Sequence, residues 1–199
     1  MKKAVITYGR FNPPTIGHER MFKKLVDTAK ADGADPIIIV SHSQNVKKNP
    51  LSPGEKIRII QDMVPEATVL QTTKQEFNPD FIIKRLRQNS NYTDFKMVVG
   101  GNRFNKGNFN WLKIKVVSGG ARNKTSGNAA AGMSATNARA AAVSGNRPAF
   151  RRAISARISN GNVNSMMQAI SARMTAPRTA RKAAKTPTTT PRSGKKRRV

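Results

Sequence analysis

Cysteine is absent from the 199 residues, which excludes disulfides and thiolate metal sites. Histidine occurs only as His18 and His42, and no cluster of His, Asp and Glu has the spacing of a metal cage. No apolar run approaches the ~18–20 residues of a membrane span. Met1-Lys2-Lys3 is basic, but the apolar stretch before Arg10 is shorter than the ~7–15 residues of a signal peptide. These absences lead to the expectation of a cytoplasmic protein, with nuclear or virion association as the alternative.

Acidic residues are the most telling shortage. There are 10 against 37 Lys and Arg, for a net charge of +27. All ten lie in the first 94 residues among 15 basic ones; the other 22 basic residues, in 95–199, have no acid among them. A region of that charge repels itself unless a polyanion neutralises it. The basic C-terminal half reads either as a compositionally biased, solvated surface or as a surface for nucleic acid or another polyphosphate.

Short apolar runs alternate with helical patterns, which is the mark of βαβ units and a parallel sheet. Ala4-Val5-Ile6-Thr7-Tyr8, Ile37-Ile38-Ile39-Val40, Ala67 to Leu70, Phe95 to Val99 and Leu112 to Val117 read as strands. Met21, Phe22, Leu25, Val26 and Ala29 form one face of a first helix. A second helix opens on Ser52, with Pro53 at the first helical position and Glu55 completing a capping box; Ile57, Ile60 and Val64 form its stripe. Pro79 to Arg87 reads as a helix with Phe81, Ile82 and Leu86 inward. Ser134 caps a helix to about Val143, and Pro148 to Arg157 and Asn162 to Arg173 read as two more. Ala-Ile-Ser-Ala-Arg occurs at 153–157 and again at 169–173, a local duplication. Residues 118–132 read as a long, glycine-rich loop of functional weight. From Thr175 the Pro, Thr and basic residues cannot bury enough apolar surface to offset ordering entropy. The expected division is a domain over 1–173 and a basic, disordered tail over 174–199.

The chemistry concentrates in Gly9-Arg10-Phe11-Asn12-Pro13-Pro14-Thr15-Ile16-Gly17-His18, between the first strand and the first helix. The first N–H groups of a helix have no intrahelical partner, and the helix dipole makes that end positive. A strand, a Gly/Pro turn and a helix start therefore suit phosphate. His18 in the first turn faces an anion held there, and Arg10 adds a fixed charge.

Gly9, Phe11, Pro13, Thr15, Gly17 and His18 resemble the first signature of the nucleotidylyltransferase superfamily, G-x-F-x-P-x-(H/T)-x-G-H. Met133-Ser134-Ala135-Thr136-Asn137-Ala138-Arg139 resembles its second, (I/M)-S-(S/A)-T-x-x-R. Lys48-Asn49-Pro50-Leu51-Ser52-Pro53-Gly54-Glu55-Lys56 is similar to a segment of the nicotinamide-mononucleotide adenylyltransferase branch. The resemblance covers about residues 1–145 and implies a Rossmann-like α/β fold. It implies transfer of a nucleotidyl group from a nucleoside triphosphate to a small phosphate-bearing acceptor, with pyrophosphate leaving. ATP with nicotinamide mononucleotide is the leading pair and CTP the alternative nucleotide. Magnesium is expected to arrive on the nucleotide's own oxygens.

His18 is then expected to donate to the α-phosphate and Thr15, standing where many relatives carry a first His, to hydrogen-bond phosphate. Gly9, Phe11 and Gly17 form the turn, and Gly17 admits the triphosphate without a Cβ clash. Ser134 and Thr136 are expected to hold the β- and γ-phosphates and Arg139 to neutralise them. Arg10 is a second phosphate candidate, Lys48 a candidate for the acceptor's phosphate, and Arg103 a further nucleotide contact. Arg103 follows Gly100-Gly101-Asn102, where relatives show G-x-D-R, so an acid is missing at Asn102. Trp111 suits either stacking on an acceptor ring or core packing. The competing reading is a nucleic-acid-binding or virion-associated basic protein that retains the fold without turnover.

Overall fold

The computed structural model describes residues 1–120 and 134–177. Five parallel strands form one sheet: β1 (Lys2–Gly9), β2 (Asp35–Val40), β3 (Thr68–Gln71), β4 (Tyr92–Val99) and β5 (Lys115–Ser118). Their order is β3-β2-β1-β4-β5. The β-branched run Ile37–Val40 is buried throughout, as a strand covered on both faces must be. The register pairs Ile6 with Ile37 on one side and with Met97 on the other, so β1 is the central strand.

The connections are α1 (Ile16–Asp32), α2 (Pro53–Met63), α3 (Pro79–Ser90) and the short α4 (Gly101–Phe104); α5 (Ala135–Val143), α6 (Arg147–Ala153) and α7 (Asn160–Thr175) follow the sheet. Because side chains alternate across a strand, β1 sends Val5 to one face and Ala4 and Ile6 to the other. Val5, Ile38, Val40 and Val98 pack with the apolar residues of α1, α2 and α5 to α7. Ile6, Ile37, Ile39, Met97 and Val99 pack with Ile82, Ile83 and Leu86 of α3. The helix pattern expected for Met21, Phe22, Leu25, Val26 and Ala29 is the buried face of α1.

Several local expectations are corrected. Phe81 is not inward: it is 37% exposed and meets Phe77 edge to face, while Ile83 takes the core position. In α2 the buried face is Lys56, Ile59, Ile60 and Met63, with Ile57 only partly buried. Lys56 is wholly buried; burial pushes its amine down to about 8, and Nζ donates to the Ser41 carbonyl at 2.6 Å. The last strand starts at Lys115, because Lys113 is left-handed (φ 51°) and ends a 3-10 turn over Asn110–Leu112. The helix expected to reach Arg157 stops at Ala153, where Ile154 turns extended and Ser155 Oγ bonds Glu19 Oε1 at 2.8 Å.

The two copies of Ala-Ile-Ser-Ala-Arg lie in different backbones, yet both arginines dock the C-terminal helices. Arg157 Nη1 donates to the Met63 carbonyl at 3.2 Å, and Arg173 Nη1 donates to the Pro50 carbonyl at 2.9 Å. Arg173 also pairs both oxygens of Glu55, at 2.6 and 3.0 Å, in the two-pronged geometry that makes such pairs strong. Glu55 in turn accepts the Ser52 N–H at 2.7 Å, so the capping box read from the sequence is also the anchor of α7.

Burial alone would raise the Glu55 pKa, but Arg173 and the Ser52 N–H outweigh it and hold it at about 2. The stabilisation is therefore complete above the ordinary carboxylate value and is lost as pH falls from about 4.5 towards about 2. Glu55→Gln is expected to cost about 1–2 kcal/mol at pH 7, discounted for solvent screening, and to remove this acid dependence. Urea unfolding of both proteins between pH 7 and pH 3 checks it; parallel losses on acidification would contradict the assignment.

Candidate functional site

The strand order reverses between β1 and β4, and ligands of open α/β sheets bind outside the carboxyl ends of strands at such a point. A cavity of about 890 Å³ lies there, walled by the chain after Gly9 of β1, after Val99 of β4 and after Ser118 of β5. Its volume is in the range of small-molecule sites.

The turn leaving β1 is held by its own side chains. Phe11 has φ 43° and is buried, with its ring folded back over Gly9. A Cβ at Gly9 would lie 2.6 Å from that ring, so the position excludes any larger residue. Phe11 meets both His18 and Phe22 edge to face, with centroids 5.2 and 5.1 Å away. It is therefore a wall against which the imidazole is set. The Asn12–Pro13 bond is cis.

Thr15 caps α1 but does not line the cavity: it is wholly buried. Its expected bond to phosphate is corrected to a bond with His18. Both the Thr15 N–H and its Oγ1 lie 3.0 Å from His18 Nδ1. An amide N–H can only donate, so Nδ1 is an acceptor and the ring proton of the neutral imidazole sits on Nε2. The ring thus has a fixed tautomer on the first turn of α1, at the cavity wall.

Arg139 reaches the cavity from α5, where Ser134 Oγ accepts the Asn137 N–H at 3.0 Å as the expected cap. Two guanidinium nitrogens are already engaged, Nη1 with the Asn12 carbonyl at 2.7 Å and Nη2 with Thr136 Oγ1 at 3.1 Å. Arg103 Nη1 donates to the Tyr8 carbonyl at 3.4 Å. Burial first, and then the charge of Arg10, lowers the pKa of both Arg103 and Arg139. The charge of Arg10 is thus close enough to both guanidiniums to disfavour their charged forms. Arg20 and Lys48 complete the basic wall, and no carboxylate lines it among the described residues.

Of the residues singled out in the sequence, Gly9, Arg10, Phe11, Gly17, His18, Lys48, Arg103, Ser134, Thr136 and Arg139 all line the one cavity. Met133 and residues 121–132 of the expected loop lie outside the described residues, as do residues 178–199 of the expected tail, while Met174 and Thr175, expected in that tail, lie in α7. His42 is not at the wall; its N–H and Nδ1 lie 3.0 and 3.2 Å from Thr72 Oγ1. Trp111 is 52% exposed, with its N–H on the Asn108 carbonyl. Sequence reasoning missed Arg20, whose signal is its position two residues after His18. It also missed Gly119, packed so closely on β4 that a Cβ would lie 2.7 Å from Met21 Cγ and 3.2 Å from the Val99 carbonyl.

A family model described as cytidylyltransferase-like matches residues 6–143, from β1 through α5. The chain belongs to the cytidylyltransferase-like family. Membership makes it a nucleotidyltransferase, and the sheet order and the site at β1 and β4 are those of a Rossmann-like domain. No curated protein matches the sequence. Among solved structures, the nicotinic acid mononucleotide adenylyltransferase of Plasmodium falciparum, complexed with NaAD, is 11% identical with a TM-score of 0.55. It matches over 84% of this chain and 96% of its own. A Vibrio parahaemolyticus protein described as a candidate nicotinate-nucleotide adenylyltransferase is 15% identical with a TM-score of 0.50, over 84% and 99% of the two chains. At these identities the likeness is one of fold.

Arg139→Ala is expected to weaken binding of a nucleoside triphosphate about tenfold or more, and of the monophosphate by less. It should also lower stability by about 1–2 kcal/mol, because the Asn12 carbonyl loses a charge-assisted partner. Titration calorimetry with both nucleotides, with thermal unfolding alongside, checks this. Equal losses for the two nucleotides would confine Arg139 to its structural bonds.

Proposed function

We propose that this chain transfers a nucleoside monophosphate, in the first place AMP from ATP, to a small phosphate-bearing acceptor, with release of pyrophosphate. The observation that carries the reading is the cavity wall itself. Arg10, Arg20, Lys48, Arg103 and Arg139 face a space lined by no carboxylate among the described residues. Burial and the charge of Arg10 disfavour the charged forms of Arg103 and Arg139, and a polyanion relieves both; a triphosphate beside a phosphorylated acceptor is one.

In the proposed reaction an acceptor phosphate oxygen attacks the α-phosphorus, the bond to the bridging oxygen breaks, and pyrophosphate carries off the electron pair. The nucleophile is already an anion at neutral pH, so no general base is needed. The work left to the protein is positioning and stabilisation of charge on the α-phosphate oxygens. His18, with its proton on Nε2, would donate to one of those oxygens. Ser134, Thr136 and Arg139 would hold the β- and γ-phosphates, with Arg10 beside them, and Lys48 the acceptor's phosphate. Gly100, Gly101, Gly119 and Gly120, at the ends of β4 and β5, offer a wall without side chains against which a flat base can lie. Magnesium would neutralise the leaving pyrophosphate, held by the nucleotide's oxygens, since the described wall offers no carboxylate to bind it. Nicotinamide mononucleotide is the first acceptor to try.

His18→Ala is expected to fold, at a cost of about 1–3 kcal/mol because the buried Thr15 N–H loses its acceptor. It should lose about 10²–10³ in turnover, the usual cost of one donor to a developing oxyanion. Pyrophosphate release from ATP, measured for the wild-type and variant proteins, checks it. Turnover within a few-fold of wild type in a folded variant would remove His18 from the mechanism.

A further inference from the structure

Three of the segments that line the site meet on Asn12, a residue that the mechanism above does not use. Asn12 is 2% exposed. Its Nδ2 donates to the Leu51 carbonyl at 2.8 Å, and its Oδ1 accepts the Leu51 N–H at 2.9 Å. One side chain thus satisfies both backbone groups of one residue, as a neighbouring strand would. The Asn12 backbone carbonyl accepts Arg139 Nη1 at 2.7 Å. The turn that presents His18, the segment that carries Lys48 and Asn49, and the arginine from α5 are therefore referenced to a single residue.

We propose that Asn12 is a positioning residue for nucleotidyl transfer: its carboxamide fixes the Lys48–Leu51 wall against the His18 turn and so sets the acceptor in line with the α-phosphate. This rests on the transfer reading above. The chemistry demands asparagine. Pairing with both groups of Leu51 takes a donor and an acceptor on one short stem. Aspartate has nearly the same shape but turns a carboxylate oxygen towards the Leu51 carbonyl, and glutamine is one methylene longer. The far side of the same segment is held by Arg173 through the Pro50 carbonyl, so loss of the Asn12 carboxamide loosens the inner edge of the wall while its outer edge stays tied. The bond to Arg139 comes from the Asn12 backbone and survives substitution. The two halves of the site should therefore respond differently.

The test uses full-length Asn12→Ala and Asn12→Asp, with ATP and nicotinamide mononucleotide as probes. Steady-state pyrophosphate release is expected to show KM for the mononucleotide raised about tenfold. kcat should fall by about 10–10², the scale of a displacement near 1 Å. ATP affinity by calorimetry should stay within about threefold. Hydrogen exchange should show the Leu51 amide losing protection in Asn12→Ala, while in Asn12→Asp, which keeps an acceptor for that N–H, the loss is smaller. β1 and β4 should keep their protection in both, which confirms that the fold survives. Unchanged KM and kcat in the variants would overturn the proposal. So would an ATP affinity that falls as far as the mononucleotide KM rises, since that outcome makes Asn12 a nucleotide contact. If wild-type protein releases no pyrophosphate with these probes, the transfer reading fails for this pair, and hydrogen exchange still decides the clamp. Protection at Leu51 retained in Asn12→Ala refutes it, and protection lost supports it.

Discussion

The segment from Gly9 to His18 is closed by bonds among its own residues, and the rest of the site is docked onto it. The Phe11 ring occupies the space a Cβ at Gly9 would take and backs the imidazole. Thr15 fixes that imidazole through Nδ1, and Asn12 takes Leu51 with its side chain and Arg139 with its carbonyl. Little of this geometry is left for a ligand to induce. Stabilising charge in a transition state requires donors that are already in place.

The charge of the site works in the opposite direction on the protein alone. Burial lowers the pKa of both Arg103 and Arg139, and Arg10 stands close enough to lower both further. The chain compensates by giving the guanidiniums carbonyl partners, Tyr8 for Arg103 and Asn12 for Arg139, which fix their direction without neutralising them. Carboxylates are used elsewhere: Glu55 and Glu19 tie the C-terminal helices to α2 and α1, and Asp32 pairs with Lys96. The scarcity of acid in the sequence thus has a local counterpart, a wall whose charge is left for the ligand to satisfy.

Much of this was legible in the sequence because it depends on local chemistry. The run Ile37–Val40, the stripe of α1, the capping box at Ser52 and the cap at Ser134 each follow from neighbouring residues. Motif spacing also brought His18, Lys48, Ser134 and Arg139 to one cavity. Where the reading failed, the deciding contact was distant. Nothing near Thr15 in sequence says that its hydroxyl turns inwards to His18 rather than outwards to a phosphate. Spacing along α2 does not distinguish Ile57 from Ile59, and it argues against a buried Lys56. The Asn12–Leu51 and Asn12–Arg139 bonds link residues 39 and 127 positions apart, beyond the reach of any periodicity.

The central claim is that the bond broken lies between the α- and β-phosphates, and isotope labelling addresses it directly. ATP labelled at the α-phosphorus is incubated with the protein and nicotinamide mononucleotide, in parallel with ATP labelled at the γ-phosphorus. The account predicts that the α-label enters the dinucleotide product and the γ-label leaves in pyrophosphate. Transfer of the γ-label to the acceptor, or its release as orthophosphate, would contradict it.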